Sequence, residues 1–259
     1  WYNGSTKYTF GSALSENITL TAKFSNPISY NLTYNLNGGT ATNPTSYTVE
    51  SDAITLTNPT KTGYKFTGWS GTGLSGEANM TVTVPKGSMG NRAYTAHYQD
   101  ITAPTGEISI GTNKWNKVLN DITFGLFFKD SLTVTITASD NSGEAVTTEY
   151  LLSDKALTAA DLETASFTAY TEAFGINPDK KCVIYAKLTD TSGNVTYMSS
   201  NGLVLDGTAP VISGVENGKT YCEAQTVTVM ENYLASVRVN GNSVSLDANH
   251  QFALSAAEG

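Results

Sequence analysis

The residues that most often do chemistry in proteins are scarce in this chain of 259 residues. It contains two histidines, His97 and His250, and two cysteines, Cys182 and Cys222. Neither histidine belongs to an H-E-x-x-H or H-x-H pattern, and the alternation around His97 predicts a surface or edge residue of a strand. Cys182 falls on the apolar face of a predicted strand, which indicates a buried structural thiol, whereas Cys222 is expected to be more exposed. We therefore predict no catalytic and no cofactor-binding residue.

Motifs of known catalytic sites are also missing from the sequence. Gly73-Leu-Ser-Gly76 is followed by Glu77, so it does not complete the G-x-S-x-G turn of hydrolases. Asn37-Gly-Gly39 is explained more simply by a turn than by a phosphate-binding loop. A glycosidase needs two carboxylates that face each other across a cleft, and the plentiful acidic residues single out no pair. The chain is predicted not to be an enzyme.

Four aspartates stand at predicted joints and turns. They are Asp100, Asp140, Asp190 and Asp206. Calcium binds several oxygen ligands and could rigidify a joint between two modules. Asp is also the usual residue of turns and caps, and no D-x-D-x-D loop is present. The turn interpretation is favoured, calcium at the joints is the alternative, and no other cofactor or metal site is expected.

Composition and charge indicate a sheet protein and exclude some partners. Charged residues make up 15% of the chain, against about 25% in average globular proteins, and β-branched and aromatic residues suit sheet faces. The net charge is -8. Without a basic stripe, neither nucleic acid nor an anionic membrane surface is an expected partner. No apolar run approaches the about 20 residues of a membrane span, so no membrane insertion is predicted.

A five-residue phrase occurs twice and marks module boundaries. The copies are Asp100-Ile-Thr-Ala-Pro104 and Asp206-Gly-Thr-Ala-Pro210, 106 positions apart. Proline fixes its own backbone and favours extended conformations in the preceding residue, so each phrase predicts a stiff joint. A repeat at this interval indicates serial modules, each about one small domain long.

Residues 1–98 contain the sequence motifs of a known repeat. They are Tyr34-Asn-Leu-Asn-Gly-Gly39, Pro59-Thr-Lys-Thr-Gly-Tyr-Lys-Phe-Thr-Gly-Trp69 and Thr95-Ala-His-Tyr98. This set resembles the internalin B-type, or Listeria–Bacteroides, repeat of bacterial surface proteins. The resemblance implies a small β-grasp module. Because the sequence shows no amphipathic helix, we expect the helix of that fold to be short or replaced by a loop.

The start of the chain resembles the end of the same repeat. Residues 17–24 correspond to residues 91–98, and each stretch follows a tryptophan, at 16 to 23 residues after Trp1 and 22 to 29 residues after Trp69. The recurrence predicts that both tryptophans anchor a repeat core. Residues 1–27 are therefore expected to be the end of a truncated repeat.

Residues 99–206 are dominated by strands. Apolar residues alternate from Leu132 to Ala138 and from Cys182 to Leu188, which predicts two half-buried strands. Thr158 and Asp161 form a capping-box pattern that predicts a short helix. With the Asp190-Thr-Ser-Gly-Asn194 turn, the segment resembles a bacterial immunoglobulin-like domain, which implies a two-sheet sandwich. Trp115 has polar neighbours and is expected to pack at an edge of the sandwich, with an exposed contact residue as the alternative.

The last segment repeats this pattern and is expected to be cut short. Thr226-Val-Thr-Val-Met230 predicts a strand, and Asn240-Gly241 is the preferred pair for a two-residue hairpin turn. A closing turn and strand like those of the preceding domain do not follow within the sequence. A second, truncated immunoglobulin-like domain is therefore expected here.

The predicted architecture is all-β and modular, an extended multidomain rod. Its modules are 1–27, 28–99, 100–208 and 209–259. We predict a non-enzymatic stalk or adhesion segment of a bacterial cell-surface, cell-wall or secreted protein. One alternative is a module that binds glycans or host proteins through exposed aromatic residues such as Trp115. Another is an accessory segment of a larger surface hydrolase.

Overall fold

The computed structural model describes residues 1–11, 13–14, 16–23 and 25–255. The other residues of the predicted modules 1–27 and 209–259 lie outside this part. Strands, turns and irregular segments make up almost all of it, which confirms the predicted all-β, multi-sheet architecture. The chain divides into two compact units, Trp1–Ile101 and Thr102–Gly259. The four module boundaries themselves stay predictions.

The described part of the first unit holds nine strands. They are β1 (Tyr2–Asn3), β2 (Thr6–Lys7), β3 (Leu20–Thr21), β4 (Tyr30–Asn35), β5 (Ser46–Tyr47), β6 (Ile54–Thr55), β7 (Tyr64–Gly71), β8 (Thr83–Val84) and β9 (Arg92–Asp100). β1 to β3 form a small antiparallel sheet in the order β2-β1-β3. The main sheet has the order β5-β4-β9-β7, and β6 pairs with β8.

The main sheet of the first unit is mixed. β4 and β9 run parallel, with Leu32 opposite Arg92 and Asn35 opposite Thr95, while β5 and β7 add antiparallel neighbours on either side. This is the strand arrangement of a β-grasp module. Between β5 and β7 the described residues form no helix, and the β6–β8 pair supplies Val84 to the core instead. The expected replacement of the helix is confirmed.

The described part of the second unit holds fifteen strands and one short helix. They are β10 (Thr105–Ile110), β11 (Asn113–Trp115), β12 (Leu126–Phe128), β13 (Leu132–Ser139), β14 (Thr147–Ser153), α1 (Ala159–Thr164), β15 (Thr168–Ala169), β16 (Phe174–Ile176), β17 (Lys180–Thr189), β18 (Val195–Ser199), β19 (Leu203–Leu205), β20 (Val211–Ser213), β21 (Gln225–Met230), β22 (Val237–Val239), β23 (Asn242–Val244) and β24 (Gln251–Leu254).

Two sheets share one apolar core between residues 105 and 205. One sheet has the order β11-β10-β13-β16, and the other has the order β12-β19-β17-β14-β15, with β18 also paired to β17. Ile108, Val134 and Ile136 of the first sheet belong to the same buried cluster as Ile184 and Leu188 of the second. The alternation predicted for β13 is confirmed, because its threonines are exposed while Val134 and Ile136 are buried.

The prediction that β17 is half-buried needs correction, because this strand is buried on both faces. Ile184 and Leu188 enter the core between the sheets, but Val183 and Tyr185 on the opposite face are also fully buried. Their cover comes from α1, whose Leu162 packs in a second cluster with them. The alternation misled the prediction because a buried tyrosine resembles an exposed one in sequence.

The helix α1 begins at the predicted capping box. The Thr158 hydroxyl accepts a hydrogen bond from the Asp161 amide at 3.3 Å, and the Asp161 carboxylate accepts one from the Thr158 amide at 2.8 Å. Two N–H groups that no helical carbonyl can reach are thereby satisfied. The cap holds Leu162 against β17.

The strands after residue 210 form a separate set. β20, β21 and β24 make one sheet, and β22 and β23 make a hairpin. The hairpin turns at Asn240 and Gly241, which both have positive φ, as predicted for this pair. Within the described residues, no strand of this set pairs with a strand between residues 105 and 205.

Candidate functional site

Residues of the repeat motifs form the core of the first unit around Trp69. The indole is fully buried, and its N–H donates to Asn58 Oδ1 at 2.9 Å. Asn58 in turn donates to the Met80 carbonyl at 3.0 Å. Trp69 is therefore a core anchor, as predicted. Trp1 is not: it is 58% exposed, which corrects the prediction that both tryptophans are buried.

The Asn37-Gly-Gly39 segment is a turn held by Tyr98. Asn37 and Gly38 have positive φ, and the Gly39 amide donates to the Leu36 carbonyl. The Tyr98 hydroxyl donates to the same carbonyl at 3.1 Å and lies where a Cβ at position 39 would be. A side chain at position 39 would collide with this hydroxyl, which explains the glycine. The predicted turn is confirmed, and it accounts for the Gly-Gly pair without a phosphate-binding loop.

Other tyrosines of the repeat also use their hydroxyls within the module. Tyr34 donates to the Pro44 carbonyl at 2.7 Å, and Tyr47 donates to the Gly90 carbonyl at 2.6 Å. Burial, with the nearby Tyr94, raises the pKa of Tyr34. These hydroxyls therefore have hydrogen-bond partners within the module and contribute to its packing.

His97 lies in a small polar group that the sequence did not indicate. It stands on β9, a central strand, so it is not an edge residue, and its side chain is partly exposed. Its Nε2 lies 2.7 Å from Ser70 Oγ, and its Nδ1 lies 3.5 Å from Glu77 Oε2. The contact between Ser70 and His97 forms across β7 and β9, where a bulge brings Gly68 opposite His97. Sequence spacing gives no signal for such a cross-strand contact.

The predicted Asp turns are formed, and two of them lie together. Asp190 accepts from the amide and the side chain of Asn194, and Asp140 accepts from the amide and hydroxyl of Ser142. The two carboxylates approach within 4.8 Å of each other. The turn role is confirmed for both. Calcium stays a prediction, because neighbouring acidic groups are not by themselves a metal site.

The other two aspartates stand at the ends of strands. Asp100 ends β9 in the first unit, is 6% exposed and lies opposite Tyr64. Asp206 follows β19 in the second unit, where its amide donates to the Phe128 carbonyl at 2.8 Å.

The cysteines and Trp115 lie as the sequence indicated. Cys182 is buried in the sandwich core, and burial raises its thiol pKa, which keeps it protonated near neutral pH. Cys222 is exposed. Trp115 ends the edge strand β11 and packs, half-buried, against the sandwich core. This packing leaves only part of its ring for a ligand.

A surface depression lies at the second Asp-x-Thr-Ala-Pro phrase. One depression of about 450 Å³ lies beside Phe127, Phe128 and the joint residues Asp206–Ala209. The exposed Phe127 ring contributes to its lining. Among the described residues, the one helix is far too short to cross a membrane.

The comparisons with known proteins concern the first unit. Residues 30–90 match the family model of the Listeria-Bacteroides repeat domain. No curated protein and no solved structure matches the chain significantly. The matched range contains the turn at Gly39 and the core anchor Trp69 described above. Residues 30–90 of this chain are therefore a Listeria-Bacteroides repeat domain.

Proposed function

We propose that this chain is a non-catalytic spacer segment of a bacterial surface or secreted protein. The observation that carries the proposal is the repeat domain at residues 30–90, a family that suggests a bacterial surface protein. In the first unit the motif residues are engaged in core packing, as Trp69 and Tyr98 show. Such a module supplies folded length and a stable surface.

The second unit supports the same role through its sandwich. The carboxylates of Asp140 and Asp190 accept hydrogen bonds from backbone amides of their own turns. The Thr191 hydroxyl also donates to Glu144 Oε2 at 2.5 Å, which links the two turns. We propose an immunoglobulin-like identity for this sandwich on the two-sheet arrangement alone. Serial modules of this kind can project a distal domain from the cell envelope or raise avidity for weak ligands.

Two measurements test the proposal. Antibodies raised against the chain should label intact, unpermeabilised cells of the source bacterium, and external protease should remove the signal. Labelling that requires permeabilisation would overturn the surface location. On a glycan array and a host-protein array, a spacer should show no saturable binding by the intact chain.

The array also tests the binding-module alternative. Saturable binding that Trp115→Ala abolishes, with the melting temperature unchanged, would favour recognition over spacing. The half-buried packing of Trp115 instead leads us to expect that Trp115→Ala lowers the melting temperature. Hydrolase activity of the longer parent protein, if present, is expected to be absent from this segment.

A further inference from the structure

One carboxylate holds the second copy of the Asp-x-Thr-Ala-Pro phrase against the sandwich. Asp179 lies in the turn between β16 and β17. Its Oδ1 accepts the amides of Gly207 and Thr208, each at 3.1 Å, and its Oδ2 accepts the Thr208 hydroxyl at 2.7 Å. A single side chain thus makes three hydrogen bonds to two consecutive joint residues. Hydrogen bonds to an ionised carboxylate are among the stronger ones in proteins.

The joint also packs closely against the same turn. The Asp206 amide donates to the Phe128 carbonyl at 2.8 Å, directly after the parallel pairing of β12 with β19. A Cβ at Gly207 would lie 2.6 Å from Pro178 Cβ and 3.2 Å from the Lys129 carbonyl oxygen. Only glycine permits this approach. Position 207 therefore has no room for the isoleucine that the first copy of the phrase carries at Ile101.

The backbone conformation of the turn favours an aspartate at position 179. Asp179 has a φ of 60°, in the left-handed region that Asp and Asn tolerate better than most residues. The Thr208 hydroxyl, with the two amides, holds the pKa of Asp179 below its ordinary value, so the carboxylate is ionised near neutral pH. The first copy is held by other residues of the same unit: Asn194 Nδ2 donates to the Thr102 carbonyl at 3.4 Å and Thr196 Oγ1 donates to the Pro104 carbonyl at 2.5 Å.

We propose that Asp179 is a clasp that makes the joint at residues 206–208 a fixed connection instead of a free linker. The amides of three successive joint residues are bound by the sandwich, which leaves Ala209 and the φ-restricted Pro210 before β20 begins. The direction in which the chain leaves the sandwich is then set by the clasp. The value of this rigidity to the cell rests on the proposed spacer function, but the clasp itself does not.

A distance measurement on the full chain tests the clasp. Nitroxide labels go on the exposed Cys222 and on a cysteine introduced by Thr133→Cys at an exposed position of β13, while the buried Cys182 stays unlabelled. Pulsed electron paramagnetic resonance then gives the distribution of distances between the labels. A free linker of four residues would have a root-mean-square span of about 11 Å. We expect a narrow distribution in the parent and a distribution several ångströms broader in Asp179→Gly.

Matched variants separate the clasp from other effects. Asp179→Gly keeps the left-handed backbone and removes the carboxylate, whereas Asp179→Asn keeps an acceptor oxygen and should stay narrow. Asp154→Gly removes an exposed aspartate from another bend and should also stay narrow. If Asp179→Gly loses the fold, Thr208→Val removes the hydroxyl bond alone and should broaden the distribution slightly.

Two results would overturn the clasp: a broad distribution in the parent, or equal widths in the parent and in the folded Asp179→Gly and Thr208→Val variants. Either would leave the surface location untouched. Conversely, a failure of surface labelling would overturn the proposed function and would not alter the label distances.

Discussion

The Ser70 hydroxyl and the Nε2 atom of His97 lie 2.7 Å apart across two neighbouring strands of the first unit. With Glu77 beyond the imidazole, the order of groups is that of a Ser–His–acid triad. Ser70, however, stands within β7 opposite Thr95, with its backbone in a sheet ladder. A reactive serine instead needs amides free to bind an oxyanion, as on a sharp strand-to-helix turn. The contact favours a structural role, in which Glu77 and its loop are tied to the sheet.

We therefore expect the Ser70 hydroxyl not to react as an activated nucleophile. The intact chain, treated with a fluorophosphonate probe at neutral pH, should gain no mass by mass spectrometry. Trypsin treated in parallel serves as the positive control. An adduct on the parent that Ser70→Ala eliminates would contradict the non-enzymatic proposal.

The two tryptophans of the first unit should differ sharply in their contribution to stability. Trp69→Ala should lower the free energy of unfolding of the repeat domain by about 3–5 kcal/mol, because a fully buried large side chain is lost. Trp1→Ala, at a site that is 58% exposed, should change it by less than about 0.5 kcal/mol. Amide hydrogen exchange at β9 reports both values without requiring the two units to unfold together. Equal effects would contradict the burial difference.

Removing the partner of the Trp69 indole should also be costly. Asn58→Ala leaves a buried N–H without its acceptor, which should cost about 1–3 kcal/mol. Asn58→Asp retains an acceptor oxygen and should lose less, although it gives up the donation to Met80. The same hydrogen-exchange measurement compares the two, and an Asp variant less stable than the Ala variant would disagree with this assignment.

The helix cap of α1 should depend on acid pH. Hydrogen bonds from the Thr158 amide and hydroxyl hold the pKa of Asp161 below its ordinary value of 3.8. The stabilisation is therefore complete above that ordinary value and is lost as the pH falls through the lowered, folded-state pKa. Amide exchange in α1 should accelerate in that acid range relative to Asp161→Asn, whose cap does not titrate. Parallel pH profiles for the parent and the variant would contradict a contribution of the ionised Asp161 carboxylate to the cap.

The two thiols should react at very different rates. In the folded chain, a maleimide should modify one cysteine rapidly, at the exposed Cys222, and leave Cys182 untouched. Burial both blocks access and raises the pKa of the Cys182 thiol. Denaturant should release the second thiol. Two rapidly modified cysteines per native chain would show that the sandwich core opens readily.

Local patterns made much of the fold predictable. The alternation in β13, the capping box of α1 and the turn at Asn240-Gly241 each depend on residues within a few positions, and the structure contains all three. The second buried face of β17 was missed because Leu162 covers it from another element. The contacts of His97 with Ser70 and of Asp179 with Thr208 were missed for the same reason: they join residues 27 and 29 positions apart.

The parallel pairing of β4 with β9 has a mechanical consequence. These strands are the first and the last of the main sheet in chain order, and the Leu32–Asn35 stretch lies beside Arg92–Thr95 in the same direction. A pulling force applied through the chain would draw the two strands past each other along their axes, because their outer ends point in opposite directions. The hydrogen bonds between them would then be loaded together in shear and not broken one at a time. A module built this way resists tension along the chain better than one whose end strands peel apart.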